Sequence, residues 1–295
     1  MSLGADIIPR KVCSLDCVYC EVGHTTRYAV APEPFTPVRE VADEIGAALR
    51  LRPDIDWVTF SGSGEPTLNV RLGEMIREVR KRTSTPVAVI TNGTLLWNKD
   101  VRKRLMEADA VLPSLDAATQ AGFERNNKPD PLLDISTVIE GLKSFRQEFR
   151  GKFFLEILLV RWINDSDEEN HAFKRAVGEI RPDKIHLNTV VRPPAETWAS
   201  PVGTERMQEI AAIIGNGCEI IAASGVPDKR LSSDADDTSV LRLLARRPMK
   251  EEELRAAFQA GDATMGSLLK RLLAERKIVR RMFDRGEFFA VREGE

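Results

Sequence analysis

No stretch of this sequence is apolar for long enough to cross a bilayer. Even a run such as Phe153–Val160 falls far short of the ~20 residues that a membrane helix requires. The chain does not open on a basic cluster followed by an apolar core, so no export signal is expected. An excess of one charge is also missing: 43 Lys and Arg against 45 Asp and Glu leave a net charge of −2. That balance excludes a whole-surface grip on nucleic acid and leaves only a local basic face for such a role. Cysteine is rare, with four in 295 residues, and three of the four lie between positions 13 and 20. Such crowding is unlike the spaced framework of a secreted disulfide protein. A reducing, cytoplasmic setting without membrane contact is therefore expected. Several enzyme signatures are absent as well, namely a GxxxxGK(S/T) phosphate loop, a G-x-S-x-G nucleophile elbow and an H-E-x-x-H zinc helix.

What the chain does have is alternation. Short apolar runs with strand character fall at Asp56–Ser61, Pro86–Thr91, Ala110–Leu115, Lys152–Val160, Lys184–Val190 and Cys218–Ala223, with a first strand near Leu3–Ile8. Amphipathic stretches separate them at Pro37–Leu51, Leu72–Lys81, Lys99–Glu107, Ile135–Arg150 and Asp167–Glu179. Thr36 is the expected N-cap of the first helix, with Pro37 in its first turn. Repeated βα units of this kind predict the α/β class, a parallel sheet covered by helices and closed into a full or partial barrel.

Beyond residue 225 the pattern changes. Residues 226–237 are polar and read as a linker. Helices are then expected at Thr238–Arg246, Lys250–Gln259 and Thr264–Lys277, followed by a hairpin over Ile278–Arg292 that turns at Asp284, Arg285 and Gly286. Three helices and a two-stranded hairpin make a winged-helix pattern. The expected division is a core at 1–225, a linker at 226–237 and a small domain at 238–295. From Asp237 onward there are 13 Lys and Arg against 10 Asp and Glu, so this tail is mildly basic. Lys270, Arg271, Arg276, Lys277, Arg280, Arg281 and Arg285 are its candidate docking face for an acidic peptide or a nucleic-acid backbone. A chain cut near Ala235 is expected to keep the chemistry of the core.

That chemistry sits in Val12–Gly23, VCSLDCVYCEVG. Thiolates are soft ligands for iron–sulfur clusters and for zinc, and spacings of three and two residues let one short loop turn three sulfurs toward one cubane. Three ligands for four irons leave one iron open. A zinc site would need a fourth ligand, for which His24 or the distant Cys218 are the candidates. Buried thiols without a metal are the remaining alternative. Cys218 itself reads as a small hydrophobe in an apolar strand.

Cys13, Cys17 and Cys20, with Tyr19 directly before the last of them, resemble the CxxxCxxC signature of the radical S-adenosylmethionine (SAM) superfamily. The segments Ser2–Pro9 (SLGADIIP) and Ser61–Leu68 (SGSGEPTL) are similar to those of superfamily members related to the tRNA wyosine-base synthases. The additional cysteines of those synthases are absent, so no second cluster is expected. The resemblance implies a partial (β/α)6 TIM-like barrel, a [4Fe–4S] cluster on the three cysteines and SAM on the open iron. It also implies an electron donor such as flavodoxin or ferredoxin, and hydrogen abstraction from a tRNA base, a peptide or a small metabolite. A DNA-binding iron–sulfur redox regulator is the alternative from another class.

Two glycines at the end of a strand let the backbone approach a ligand, and the resemblance assigns Ser63, Gly64 and Glu65 to the amino group of SAM. Tyr19 joins the same set. Polar residues that interrupt apolar strands on one face supply the rest. Asn92, Ser114, Asp116 and Asn188 are candidates for the ribose, adenine or carboxylate, and Asn164 is the candidate from Leu159–Asp165. Glu156 and His186 are the candidate catalytic residues, for substrate contact or proton transfer. His24 and His171 read as surface residues.

Overall fold

The computed structural model describes residues 1–215, 217–221, 235–258, 261–284 and 286–292. Its elements run β1 (Ser2–Ala5), β2 (Val12–Cys13), β3 (Arg27–Tyr28), α1 (Val38–Leu51), β4 (Trp57–Phe60), α2 (Leu72–Arg80), β5 (Val87–Thr91) and α3 (Lys99–Leu105). They continue through β6 (Ala110–Pro113), α4 (Gln120–Asn127), α5 (Ile135–Glu148), β7 (Lys152–Leu159), α6 (Asp167–Ile180), β8 (Lys184–Thr189), α7 (Thr204–Ile214) and β9 (Cys218–Ile220). Seven strands form one sheet in the order β1-β4-β5-β6-β7-β8-β9. Every pairing in it is parallel. Apart from the small β2–β3 pair, which stands outside this sheet, each strand lies beside the next one in the chain with at least one helix between them, which is the partial barrel of an α/β fold.

Side-chain alternation explains the sheet's two faces. In β7, Phe153, Leu155, Ile157 and Leu159 are buried, while Phe154, Glu156 and Leu158 are half-buried. The first set packs under the helices. Val58 and Phe60, Val87 and Val89, and Ile185 and Leu187 do the same from neighbouring strands. On the helix side, α1 turns Val38, Val41, Ala42 and Ile45 inward, the i, i+3, i+4, i+7 spacing of an amphipathic helix. Phe145, Phe149 and Phe153 cluster between α5 and β7, with ring centroids 4.8 and 5.9 Å apart. Each such side chain contributes about 1.5–3 kcal/mol by leaving water, so the helix-side face carries the stability and frees the inner face for polar groups. One row of that inner face runs Ser114, Glu156, His186 and Glu219 across adjacent strands.

The tail forms α8 (Asp237–Arg246), α9 (Glu251–Phe258), α10 (Asp262–Ala274) and the antiparallel pair β10 (Ile278–Phe283) and β11 (Gly286–Val291). Val240, Leu244, Leu254, Phe258, Met265, Leu269, Leu272, Ile278 and Phe289 give it a hydrophobic cluster separate from that of the barrel.

Differences from the sequence reading are local. Thr36 does not cap α1: Pro37 occupies the cap position without a side-chain bond, and the Thr36 hydroxyl donates to the Ile7 carbonyl instead. β1 stops at Ala5, and Ile7 and Ile8 turn into the core. Helices α4 and α7 were not anticipated. α4 is mostly polar and depends on its Thr119 cap, whose hydroxyl accepts from the Gly122 amide. The end of the expected strand at 222–223, residues 226–234 of the expected linker, Gln259 and Arg285 lie outside the described residues. No helix of the described residues is long and apolar enough to cross a membrane.

Candidate functional site

The cysteine loop is tied at both ends before any metal is considered. β2 and β3 pair so that Cys13 lies opposite Tyr28. Between them Asp16 accepts the Thr25 amide at 2.6 Å and meets His24 at 3.2 Å. From the barrel side, the Asn127 and Asn126 carbonyls accept the amides of Asp16 and Val18, each at 3.0 Å. The end of α4 therefore clamps the loop that carries the thiols.

Each of the three sulfurs accepts from a side-chain nitrogen. The Lys11 ammonium donates to Cys20 at 3.2 Å, the Asn127 amide to Cys17 at 3.3 Å and the Asn92 amide to Cys13 at 3.5 Å. Lys11 is only 3% exposed and has φ +58°, a conformation that costs a non-glycine residue about 1–3 kcal/mol. Burial works to lower its pKa, but the Cys20, Cys13 and Cys17 sulfurs outweigh it and hold the ammonium above the ordinary lysine range. Burial and the Glu65 carboxylate push the Cys13 thiol up to about 11, and burial raises Cys17 as well, with Cys13 and Cys20 adding to it. These sulfurs are close enough to oppose one another's ionisation, as ligands gathered for a shared metal group must be. The donor set of three thiolates, one buried cation and two amide N–H groups fits a thiolate-ligated cluster. Zinc is less well served. His24 is half exposed and engaged with Asp16, and Cys218 lies on β9 at the opposite edge of the sheet from β1. Among the described residues no three His, Cys, Asp or Glu side chains converge on a single-ion site.

The Ser61–Glu65 turn lies against this loop. Asp6 accepts the Ser63 amide at 3.1 Å and its hydroxyl at 2.6 Å, and the Ser63 carbonyl accepts the Lys11 amide at 2.7 Å. Gly64 is packed so tightly that a Cβ there would stand 2.2 Å from the Val12 carbonyl oxygen and 2.6 Å from Ile8 Cγ2. Its missing side chain makes room for the cysteine loop itself. The Glu65 carboxylate is buried and accepts from the Thr67 amide and hydroxyl, the Thr91 hydroxyl and the Asn92 amide at 2.6–2.9 Å. Burial raises its pKa and these bonds oppose the rise. Glu65 thus ties the Gly-Glu-Pro turn to the end of β5.

Asn92, Ser114, Asp116 and Asn127 line one small cavity with Leu15 and Phe123. Of these, Asp116 is held by two donors: Tyr19 donates to its Oδ2 and the Leu158 amide to its Oδ1 at 2.8 Å. Burial pushes the Asp116 carboxyl up to about 7 against those two bonds. The Asn127 side-chain oxygen is buried without a protein partner. Asn164 is fully used by the fold: its amide donates to the Asp116 and Leu158 carbonyls at 2.8 Å and its oxygen accepts the Val160 amide at 2.7 Å. Farther along the inner face, Asn188 donates to Glu156 at 3.2 Å, and His186 is Glu156's register partner on β8, its ring 5.5 Å from that of Phe154.

The structure thus gathers Cys13, Cys17, Cys20, Tyr19, Ser63, Gly64, Glu65, Asn92, Ser114 and Asp116 around the cysteine loop. Glu156, His186 and Asn188 form a second group on β7 and β8. Lys11, Asp6, Asn126 and Asn127 were missed by sequence reasoning, because a lysine one residue from an apolar strand and a pair of asparagines in a polar helix carry no local signal of burial.

A partial parallel barrel with three thiols of one loop gathered near the C-terminal ends of its strands defines an α/β protein whose candidate site is cysteine-centred. The chain belongs to the radical SAM superfamily, whose family profile matches residues 7–174. It is 34% identical over 280 residues to a GTPase Obg of Brachyspira hyodysenteriae, a match that covers 94% of this chain and 41% of that protein. The chain thus spans less than half of that relative. A UPF0026 protein of Methanocaldococcus jannaschii is 27% identical over 297 residues, covering 98% of this chain and 91% of that protein. Among solved structures, a radical SAM methyltransferase from Sphaerobacter thermophilus matches with a TM-score of 0.55 at 18% identity, over 75% of this chain and 67% of that one. At that identity the likeness speaks for the fold.

Proposed function

We propose that the chain is a radical SAM enzyme in which Cys13, Cys17 and Cys20 hold a [4Fe–4S] cluster with one iron left open for SAM. The observation that carries this reading is the provision of a side-chain N–H donor to each of three gathered cysteine sulfurs, one of the donors being a buried, strained lysine. A cluster held by these three cysteines would supply one electron to SAM, whose sulfonium C–S bond would then break to methionine and a 5′-deoxyadenosyl radical able to take a hydrogen atom from the substrate. The protein's own residues bind and orient. Lys11 offsets the charge that the thiolates bring, and Asn92 and Asn127 fix the sulfurs of Cys13 and Cys17. Tyr19, Ser63, Gly64, Asn92, Ser114 and Asp116 border the place where SAM would lie. Glu65 and Asn164 act through the turns they hold rather than by direct contact. Glu156, His186 and Asn188 face the substrate, with Glu156 and His186 the groups able to move a proton. A low-potential donor such as flavodoxin or ferredoxin supplies the electron.

Three substrate classes compete: a tRNA base, favoured by the similarity of Ser61–Leu68 to the wyosine-related group and disfavoured by the net charge of −2 and the missing further cysteines, a peptide or protein side chain, and a small metabolite. The order of three helices and a hairpin supports a winged helix at 238–295, joined through 226–237 to a core at 1–225. That order also favours the second reading, a DNA-binding redox regulator. Against it, Arg271 and Lys277 are paired with Asp237, and Arg280 lies 3.4 Å from Glu287, so part of the basic face is already neutralised. The GTPase activity named for the Brachyspira relative has no counterpart in these residues, which contain no phosphate-binding loop.

Anaerobic reduction with dithionite in the presence of SAM tests the proposal. The enzyme should release 5′-deoxyadenosine and methionine, and Cys20→Ser should release neither. A reconstituted cluster that never cleaves SAM would favour the regulator.

A further inference from the structure

The C-terminal segment is tied to the surroundings of the cysteine loop at two places, through Arg192 beside Glu21 and through Phe283 at the apolar cluster that holds Val18. On one side, Arg192, two residues after the buried Val190 that follows β8, donates to the Pro248 carbonyl at 2.9 Å and to both carboxylate oxygens of Glu253 in α9, one of them at 2.8 Å. Its Nε also lies 3.7 Å from Glu21, the residue after Cys20. Only 13% of the Arg192 side chain is exposed. A two-pronged guanidinium–carboxylate contact of this burial fixes orientation as well as distance. On the other side, Phe283 at the hairpin tip packs against the buried cluster of Val18, Val160, Val190 and Ala199, which Tyr19 and Leu158 also flank. Its neighbour Met282 is 72% exposed, so the tip places one aromatic ring inward and the adjacent side chain in water. The Glu196 amide, from the same β8–α7 connection as Arg192, donates to the Val18 carbonyl at 2.9 Å and completes the seam.

From this seam we infer that the C-terminal helices and hairpin form one wall of the site, with Arg192 as the positioning residue that holds them there and Phe283 as the side chain that closes over the apolar cluster around Val18. The inference rests on the reading of the cysteine loop as the cluster site. It changes the expectation for a chain cut near Ala235: such a chain would leave Arg192 and Glu21 without Glu253 and expose the apolar patch that Phe283 covers.

The test uses the full chain, loaded with its cluster under anaerobic conditions, with hydrogen exchange followed on the peptide spanning 14–22 and iron loss to EDTA followed in the visible. Phe283→Ala and Glu253→Gln should each speed exchange in that peptide and iron loss by roughly tenfold, while Arg271→Gln, whose partner Asp237 lies elsewhere in the segment, should change neither. Phe283 belongs to the main core of neither part, so Phe283→Ala decides the matter even where Glu253→Gln fails to fold. Unchanged exchange and iron loss in Phe283→Ala would overturn the inference. The wild type's failure to release 5′-deoxyadenosine would instead strike the proposed function and leave the exchange result standing.

Discussion

Gly64→Ala is the substitution whose outcome the structure constrains most tightly. The added Cβ would stand 2.2 Å from the Val12 carbonyl oxygen, 2.6 Å from Ile8 Cγ2 and 3.1 Å from the Val12 carbonyl carbon. Relief to an ordinary contact near ~3.5 Å requires a shift of about 1 Å. Backbone must make that shift, and the same Val12 oxygen accepts the Glu65 amide at 3.1 Å. Overpacking of this kind costs roughly 1–3 kcal/mol, and weakening a backbone hydrogen bond adds about 1 kcal/mol. With about 3 kcal/mol lost in a body of this size, Tm should fall by roughly 6–12 °C. Because Val12 directly precedes Cys13, iron and sulfide per chain after anaerobic reconstitution should fall too. Gly4→Ala is the control: the nearest atom to its Cβ would be Ser61 Oγ at 3.9 Å, and both readouts should stay near wild type. A Gly64→Ala protein with wild-type Tm and full iron would refute the reasoning that this glycine makes room for the cysteine loop.

Three further outcomes are expected. Cys13→Ala, Cys17→Ala and Cys20→Ala should each abolish the broad visible absorbance of the reconstituted cluster, whereas Cys218→Ala should leave it intact; loss of iron in Cys218→Ala would mean a fourth protein ligand. Lys11→Met removes a buried cation 3.2 Å from the Cys20 sulfur, where one charge acting on another across ~4 Å is worth up to about 4 kcal/mol at an effective dielectric of 20. The cluster should assemble but become harder to reduce, its potential moving negative by at least ~59 mV, one tenfold step for one electron, and an unmoved potential in a redox titration would contradict the role given to Lys11. Asp116 has its folded-state pKa raised to about 7 from 3.8, so the folded state holds its proton where the unfolded chain has lost it. Stability from this group is full below pH ~4 and is lost as pH rises toward ~7, on the order of 4 kcal/mol in all. Asp116→Asn should flatten that slope in urea unfolding measured from pH 4 to 8, and a slope equal to the wild type's would rule the burial argument out.

How much of this was legible in the sequence depends on whether the signal was local. The three cysteines and the turn at Ser61–Glu65 are short-range patterns, and the alternation in Phe153–Val160 gave both the strand and the inward-facing Glu156. Strands β4 to β8 fell within a residue or two of their expected limits at most ends. Helix α4 was hidden because its contribution is polar: its last two residues serve the cysteine loop through backbone carbonyls and one amide. Lys11 could not be separated from a surface lysine without knowing that its φ and burial aim it at the sulfurs. Glu65 illustrates the converse, since sequence placed it at the site but only the fold reveals that four internal donors occupy its carboxylate. Arg192 and Glu253 are 61 residues apart, and no pattern in either neighbourhood announces their pairing.

The most direct test of the account is electron paramagnetic resonance of the dithionite-reduced protein with and without SAM, using SAM labelled with nitrogen-15 at the amino group. Three cysteine ligands and one open iron require a reduced-cluster signal that changes when SAM is added and that shows hyperfine coupling to the labelled nitrogen. A reduced cluster whose signal is unmoved by saturating SAM, with no nitrogen coupling, would contradict the claim that Cys13, Cys17 and Cys20 leave an iron for SAM to bind.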